Sequence, residues 1–457
     1  MRWTRASIVA VSVAATLSGC SDQPTEPRQS VNLALARTSP ASAALVRQLA
    51  AARGIGPLPR HAPVRPELVR LGQLLAFDPI LSGNRDIACT SCHLPAFATG
   101  DAKSLSVGQG GLGAGPGRRH PAGVFIPRNA PPLFNLGAMR RLFWDGRVEV
   151  DDAGTLHTPA GSQITPEMRR VFEFGAISAL AMFPVTNRAE MRADAGNELA
   201  LVADGDLTGI WAAIMRRLGA VPEYRALFEA AYPGTRFEQM TFAHASNAVA
   251  GFLVDRLSFA DTPWDRFLAG RDDALSVRQL EGARTFLTLK CSICHSGPTL
   301  SDQEFHNVAV AQLGPGQGNG ASLRDDFGRM NVTGNPDDRY RFRTTPLRNV
   351  QLTAPYGHDG AITTLRGFVE HYSESDLKLL AFDPAPLERA LRGTVLPNAA
   401  DIAAQRDTLL AGVVLSDELV SALMDYMQAL TDNAARDVSR IVPARVPSGL
   451  RVAAGVQ

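Results

Sequence analysis

Two short stretches decide how this chain folds: Cys89-Thr-Ser-Cys92-His93 and Cys291-Ser-Ile-Cys294-His295. Each reads Cys-x-x-Cys-His, the pattern that fixes a c-type haem through two thioether bonds. The histidine that follows then serves as the proximal iron ligand. The chain has 5 cysteines, and these motifs use all of them except Cys20. A thioredoxin-like reading needs a βαβ context, which neither stretch has. A Cys₄ zinc site across both pairs does not call for a histidine directly after each pair. Two covalently attached haems are therefore expected, on Cys89, Cys92 and His93 and on Cys291, Cys294 and His295.

A helix-like stretch precedes each motif. Leu68–Phe77 is apolar at Leu68, Leu71, Leu74 and Leu75, and Leu280–Leu289 has the same 3.6-residue spacing. Asp206–Leu218 and Asp417–Leu430 are also helix-like, and strand signals are few. The expected fold is mainly α and loop-rich, with two cytochrome c-like haem domains packed together, about 67–255 and about 265–435. Gly (40) and Pro (30) are somewhat abundant in the 457 residues, which favours ordered loops over a dense bundle. Lys and Arg (46) nearly balance Asp and Glu (45), so no basic excess supports nucleic-acid binding. No long apolar run follows the first twenty residues, which excludes a polytopic membrane protein.

The N-terminus reads as an address. Arg2 and Arg5 precede the mostly apolar Ala6–Leu17, and Leu17-Ser-Gly-Cys20 resembles a lipobox. Residues 1–20 are thus expected to be a lipoprotein-type signal, with the mature protein periplasmic and held to the membrane only by a lipid on Cys20. A plain cleaved signal is the alternative. Proline-rich 21–66 is expected to be a tether with one short helix near Ala41–Arg53, and 444–457 a flexible tail.

Further motifs surround the two haem stretches. They are Leu71-Gly-x-x-Leu-x-Phe77-Asp78-Pro79-x-Leu81-Ser82, Arg128-Asn129-Ala130-Pro131, Phe143-Trp144-Asp145-Gly146-Arg147, Phe305-His306-Asn307, Leu347-Arg348-Asn349-Val350 and Ala354-Pro355-Tyr356-x-His358-Asp359-Gly360. In order, spacing and residue type the set resembles the bacterial di-haem cytochrome c peroxidase and MauG family, in its MauG-like or MbnH-like branch. The resemblance implies that peroxide meets the N-terminal haem while the C-terminal haem supplies or stores an electron. It also implies a calcium ion between the domains, bound by Asn129 and the carbonyls of Thr353 and Pro355.

The same resemblance assigns the remaining roles. Family peroxidases often carry a distal histidine about sixteen residues after the proximal one; here that position is Gln109, and a neutral amide is a poor iron ligand. His120 is the rival in the same loop. The acid/base carboxylate sits in Pro184-Val-Thr-Asn187-Arg-Ala-Glu190-Met191, which makes Glu190 the candidate. Glu167, inside an apparent insertion over about 151–176, is a decoy that lacks the asparagine. Trp144 is expected between the haems as an electron relay. The sixth ligand of the second haem lies fourteen residues after His358, at Tyr372, where relatives that donate electrons have methionine; ligation by His371, or by nothing, is the alternative.

These assignments imply an exported enzyme that uses hydrogen peroxide and oxidises a residue of a periplasmic partner protein through a two-haem high-valent state. A copper-binding protein is one such partner. The alternative is a cytochrome c peroxidase that reduces peroxide to water with electrons from a small cytochrome c or cupredoxin.

Overall fold

Two helix crossings organise the computed structural model, which describes residues 43–454. In the first, Pro66–Phe77 packs across Phe242–Arg256. Pro66 opens its helix where no amide hydrogen is needed, and the apolar stripe expected from Leu68 to Leu75 is buried. The backbones meet at Gly72, where a Cβ would sit 1.8 Å from the Ala248 carbonyl oxygen. In the second crossing, Val277–Thr288 packs across Asp417–Ala429. Ser276 and Ser416 cap these helices through the amides of Gln279 and Leu419. Here the close approach falls at Gly282, 2.0 Å from the Ala422 carbonyl oxygen by the same construction. The same device, a helix ahead of each Cys-x-x-Cys-His locked by a glycine against a later helix, occurs once in each half.

Each crossing has its own apolar core. The first gathers residues between Leu68 and Phe259, and the second gathers residues between Trp264 and Leu430. Strand is confined, among the described residues, to a three-stranded antiparallel sheet (Arg141–Leu142, Val148–Val150, Leu156–His157) and a pair (Phe305–His306 with Phe342–Arg343). The fold is mainly helical and loop-rich, as expected. No helix among the described residues is long and apolar enough to cross a membrane. The signal, Cys20 and the first half of the tether lie outside the described residues.

Two expectations about the periphery need correction. The tether does more than connect. Its helix Ala43–Ala52 buries Val46 and Ala50 in the second core, and the Arg53 carbonyl accepts from the Gly297 amide just past the second motif. The tail is not loosely ordered up to residue 454. Val446 enters the first core, the Ser448 hydroxyl donates to buried Asp78 at 2.6 Å, and the Ala453 carbonyl accepts from Thr90, inside the first motif. Each end of the chain thus packs on the far half. Within the insertion, Ala160, Ile164 and Met168 join the first core.

A buried ionic seam joins the halves. Arg128 bridges Asp145 at 2.5 Å and Asp326 at 2.6 Å. Burial alone would weaken the charge on Arg128, but the two carboxylates outweigh it and hold the guanidinium protonated. Asp145, despite burial, is held down to about 2 by Arg128 and Arg147. Such an arrangement specifies the docking geometry more than it adds net stability.

Candidate functional site

The first motif coils into a short 3₁₀ turn, Cys89–Ser91, and the second into a helical turn, Cys291–Cys294. In each, the histidine amide bonds back to the carbonyl of the first cysteine at 3.0 Å, which gathers both thiols and the imidazole together. His93 Nδ1 lies 2.9 Å from the Thr99 carbonyl, and His295 Nδ1 lies 3.1 Å from that of Leu300. A carbonyl only accepts, so Nδ1 carries the proton and Nε2 keeps its lone pair. Burial also keeps both rings neutral. All four thiols are free and half-buried. Two thiols and an Nε2 donor, presented twice, are the donor set that a covalently attached haem requires.

The loop after the first motif folds over this site. Arg118 is buried and knits the loop together, donating to the carbonyls of Val107, Gly108 and Gly113. Gly108 lies against the 188–192 turn, where a Cβ would come 1.9 Å from the Ala189 carbonyl oxygen. Gln109 is turned to Asp86, its amide 3.3 Å from that carboxylate, and its backbone amide bonds to Ala189. His120 accepts from its own loop, the Ala122 amide, through Nδ1, which places its proton on Nε2 and removes that lone pair.

Glu190 sits on a single π-helical turn, Arg188–Arg192, whose entry is capped by the Asn187 side chain accepting from the Glu190 amide at 3.0 Å. Such turns recur at functional sites. Arg192, buried, anchors the far side to the Leu199 carbonyl and Asp204. The Glu190 carboxyl has no hydrogen-bond partner among the described residues. Burial raises its pKa, and the charges of Arg147 and Arg128 offset this only in part. It is close enough to Cys92 for its charge to act on that thiol. Glu167, in contrast, is exposed and paired with Arg170 at 2.9 Å.

Trp144 lies at the seam. Its indole donates to the Asn129 carbonyl at 2.9 Å, and its own carbonyl accepts from the Arg343 amide of the other half. Asn129 in turn donates its backbone amide to His358 and its side-chain amide to Lys103. This leaves Asn129 Oδ1 without a hydrogen bond among the described residues, as are the carbonyls of Thr353 and Pro355. Pro355 and Ser104 both flank Gly360, where an added Cβ would come within 3.0 Å of each. Unpartnered oxygens of this kind suit a hard cation.

At the second site Tyr372 ends the helix Leu365–His371. Its hydroxyl has no hydrogen-bond partner among the described residues. Burial, with Cys294 and Cys291 near enough to add to it, raises its pKa. Alkylation of those sulfurs by a haem would remove the second contribution. His371 donates Nε2–H to the Val308 carbonyl at 2.9 Å, which leaves its lone pair on Nδ1.

Two features here were not assigned from the sequence. His306 is clamped between Asp407 at 2.6 Å and Asp302 at 3.2 Å beside Cys294. Burial opposes its charge, but Asp302, Cys294 and Asp407 together outweigh it and push its pKa up to about 11, and a thioether at Cys294 would remove that residue's share. Cys294, Asp302 and His306 offer donor atoms within 4.8 Å of one another, yet the Cys294 sulfur is claimed by its Cys-x-x-Cys-His motif. The other feature is Arg118, a buried cation close enough to the first site for Cys92 to act on it. The Phe305-His306-Asn307 signature marked the first residue, but the carboxylates come from a long-range fold. A glycine-rich loop gave no sign that one of its arginines turns inward.

Known proteins resemble this chain in sequence and in fold. The family model for di-haem cytochrome c peroxidase matches residues 66–273. The chain is 30% identical over 317 residues to cytochrome c peroxidase Ccp of Escherichia coli, covering 69% of this chain and 55% of that one. It is 28% identical over 339 residues to methylamine utilization protein MauG of Methylorubrum extorquens, covering 74% and 77%. This chain therefore spans little more than half of the E. coli relative. Among solved structures, a MauG-like protein associated with microbial copper homeostasis superposes with a TM-score of 0.57 at 24% identity, over 84% of this chain and 96% of that one.

Proposed function

Since the chain belongs to the di-haem cytochrome c peroxidase family, we propose that it is an exported enzyme that uses hydrogen peroxide to oxidise a residue of a protein partner, as a MauG-like oxidase. His93 and His295 would hold the two haems, with Cys89, Cys92, Cys291 and Cys294 as thioether anchors. When bound, the haems supply the redox chemistry that cleaves the O–O bond and stores two oxidising equivalents.

The observation that carries this reading is the Glu190 carboxyl: without a hydrogen bond among the described residues, close enough to Cys92 for its charge to act on that thiol, and shifted by burial toward neutrality. As a carboxylate it takes a proton from one peroxide oxygen, and as the acid it gives that proton to the other. The neighbouring charged groups cannot substitute. Arg147 and Arg128 never release their protons near neutral pH, and Asp145 stays ionised down to about 2. Gln109 and His120, each engaged with its own partner, leave the first site without a competing side-chain ligand. Trp144, bonded to both halves, is positioned to pass electrons between them. Asn129, Thr353 and Pro355 would hold a calcium ion at the same seam.

Tyr372 favours protein oxidation over simple peroxide reduction, because a phenol oxygen stabilises a more oxidised iron than a thioether does. The partner classes to assay are copper-binding proteins, given the copper-homeostasis association of the MauG-like structural neighbour, and small cytochromes c. The Leu17–Cys20 ending supports a periplasmic, lipid-anchored enzyme. The second reading, reduction of peroxide to water with electrons from a small cytochrome c or cupredoxin, is favoured by the relatives that are cytochrome c peroxidases.

The test is one equivalent of peroxide added to the ferric holoprotein, wild type against Tyr372→Phe. A long-lived two-equivalent oxidised state in wild type, lost in the variant, is expected. A protein that responds only after one-electron reduction would establish the second reading.

A further inference from the structure

Behind the second site runs a chain of aromatic rings that the chemistry above does not use. From the ring of His295, centroids step 6.4 Å to Phe286, 5.1 Å to Tyr426 and 5.0 Å to Trp264. Trp264 stacks on Phe267 at 5.4 Å, and the partly exposed Arg47 covers that ring at 4.4 Å. Trp264, Tyr426 and Phe286 are sealed in the second core.

Packing explains their apolar faces but not their polar atoms. The Tyr426 hydroxyl and the Trp264 indole N–H are buried with no hydrogen-bond partner among the described residues. A buried group left unpaired destabilises a fold, and phenylalanine would fill the same space without that penalty. The two residues that carry this penalty are the two members of the chain whose rings are readily oxidised. The other buried tryptophans differ: Trp144 donates to Asn129 and Trp211 donates to the Met182 carbonyl.

We infer that Trp264 is a one-electron donor to the second haem, reached through Phe286 and Tyr426, that drains oxidising equivalents when no partner is bound. The inference rests on the peroxide activity proposed above. Hydrogen peroxide accepts two electrons and two solvent protons to give two waters; one electron comes from Trp264 and the other from the haem iron that the proposed activity supplies. The electron leaves the indole π system and no bond breaks. The N–H proton stays because no group among the described residues accepts a hydrogen bond from it, so the product is a tryptophan cation radical. Oxidised tyrosine must shed its proton, and Tyr426 has no acceptor either, so the hole comes to rest on Trp264. A soluble one-electron reductant such as ascorbate restores the ring.

The test mixes holoprotein with one equivalent of peroxide, without partner, and freezes it for electron paramagnetic resonance. Expected is a radical whose hyperfine structure narrows when tryptophan is ring-deuterated, and whose N–H proton shows no hydrogen bond by electron–nuclear double resonance. Trp264→Phe should lose this signal, and its oxidised haem spectrum should decay severalfold more slowly. Tyr426→Phe should keep the radical and melt no lower than wild type. If Trp264→Phe does not accumulate, the double-resonance signature in wild type decides, since Trp144 and Trp211 are hydrogen-bonded. A haem spectrum that responds to peroxide with no tryptophan radical, a hydrogen-bonded one, or an unchanged decay in Trp264→Phe overturns the inference alone. A haem spectrum that does not respond overturns the peroxide activity and the inference with it.

Discussion

Glu190→Gln separates a proton carrier from a residue that merely fills space. The amide matches the carboxyl in volume, and the carboxyl has no hydrogen bond to lose, so the fold should tolerate the change. The sign of the stability effect follows from linkage. Burial raises the pKa of Glu190 in the folded protein, so its ionised form costs stability above that pKa, and the cost fades as pH falls toward the unfolded value. At neutral pH the glutamine variant should therefore melt no lower than wild type. Activity should behave otherwise. The charged groups that act on Glu190 are arginines, which cannot exchange protons near pH 7, so no neighbour replaces it. The rate of reaction with peroxide should fall by about a hundred- to ten-thousand-fold, the usual worth of a general acid–base group. That is about 2.7–5.4 kcal/mol of transition-state stabilisation. Stopped-flow absorbance of the haem bands under excess peroxide measures it directly. Wild type should slow as pH drops through the raised pKa of Glu190, and the variant should show no such dependence. A fully haem-loaded variant that reacts within about threefold of wild type, with the same pH profile, would refute the assignment.

Two further perturbations probe the scaffold. Arg128→Met leaves Asp145 and Asp326 buried without their shared cation, and should cost about 3–5 kcal/mol at neutral pH by urea unfolding. Its pH dependence should also invert: wild-type Asp145 contributes stability above its unfolded pKa of 3.8 and loses it as pH falls through about 2, whereas the variant should gain stability as pH drops toward 4 and its stranded carboxylates protonate. Gly72→Ala should force the first helix crossing apart, since the new Cβ would meet the Ala248 carbonyl oxygen at 1.8 Å. The cost should be about 3 kcal/mol or more, at or beyond the upper end for overpacking, read by circular dichroism during urea unfolding.

The helices were legible because they rest on local rules. The helix-like stretches Leu280–Leu289 and Asp417–Leu430 lie within a few residues of the helices Val277–Thr288 and Asp417–Ala429. The short helix of the tether was visible for the same reason, but its docking on the second core was not. Nothing within Ala43–Ala52 states which distant surface will cover Val46 and Ala50. The tail misled for a related reason. Its small residues resemble a loose end, and its order comes from Asp78 and Thr90, more than 350 residues away in sequence.

What the sequence determined by itself is the chemistry that depends on covalent spacing. Two cysteines and a histidine within five residues must share one turn, so Cys89–His93 and Cys291–His295 announce their role before any folding is considered. Tyr372 and Glu190 were located by resemblance, as positions. Their states were decided by tertiary structure alone, because a pKa and a free hydroxyl depend on neighbours that arrive from elsewhere in the chain. Burial raises Glu190, the Val308 carbonyl engages His371 Nε2, and Asp302, Cys294 and Asp407 together charge His306. Electrostatics and desolvation act through space, and no local pattern of residues encodes which groups the fold will bring within range.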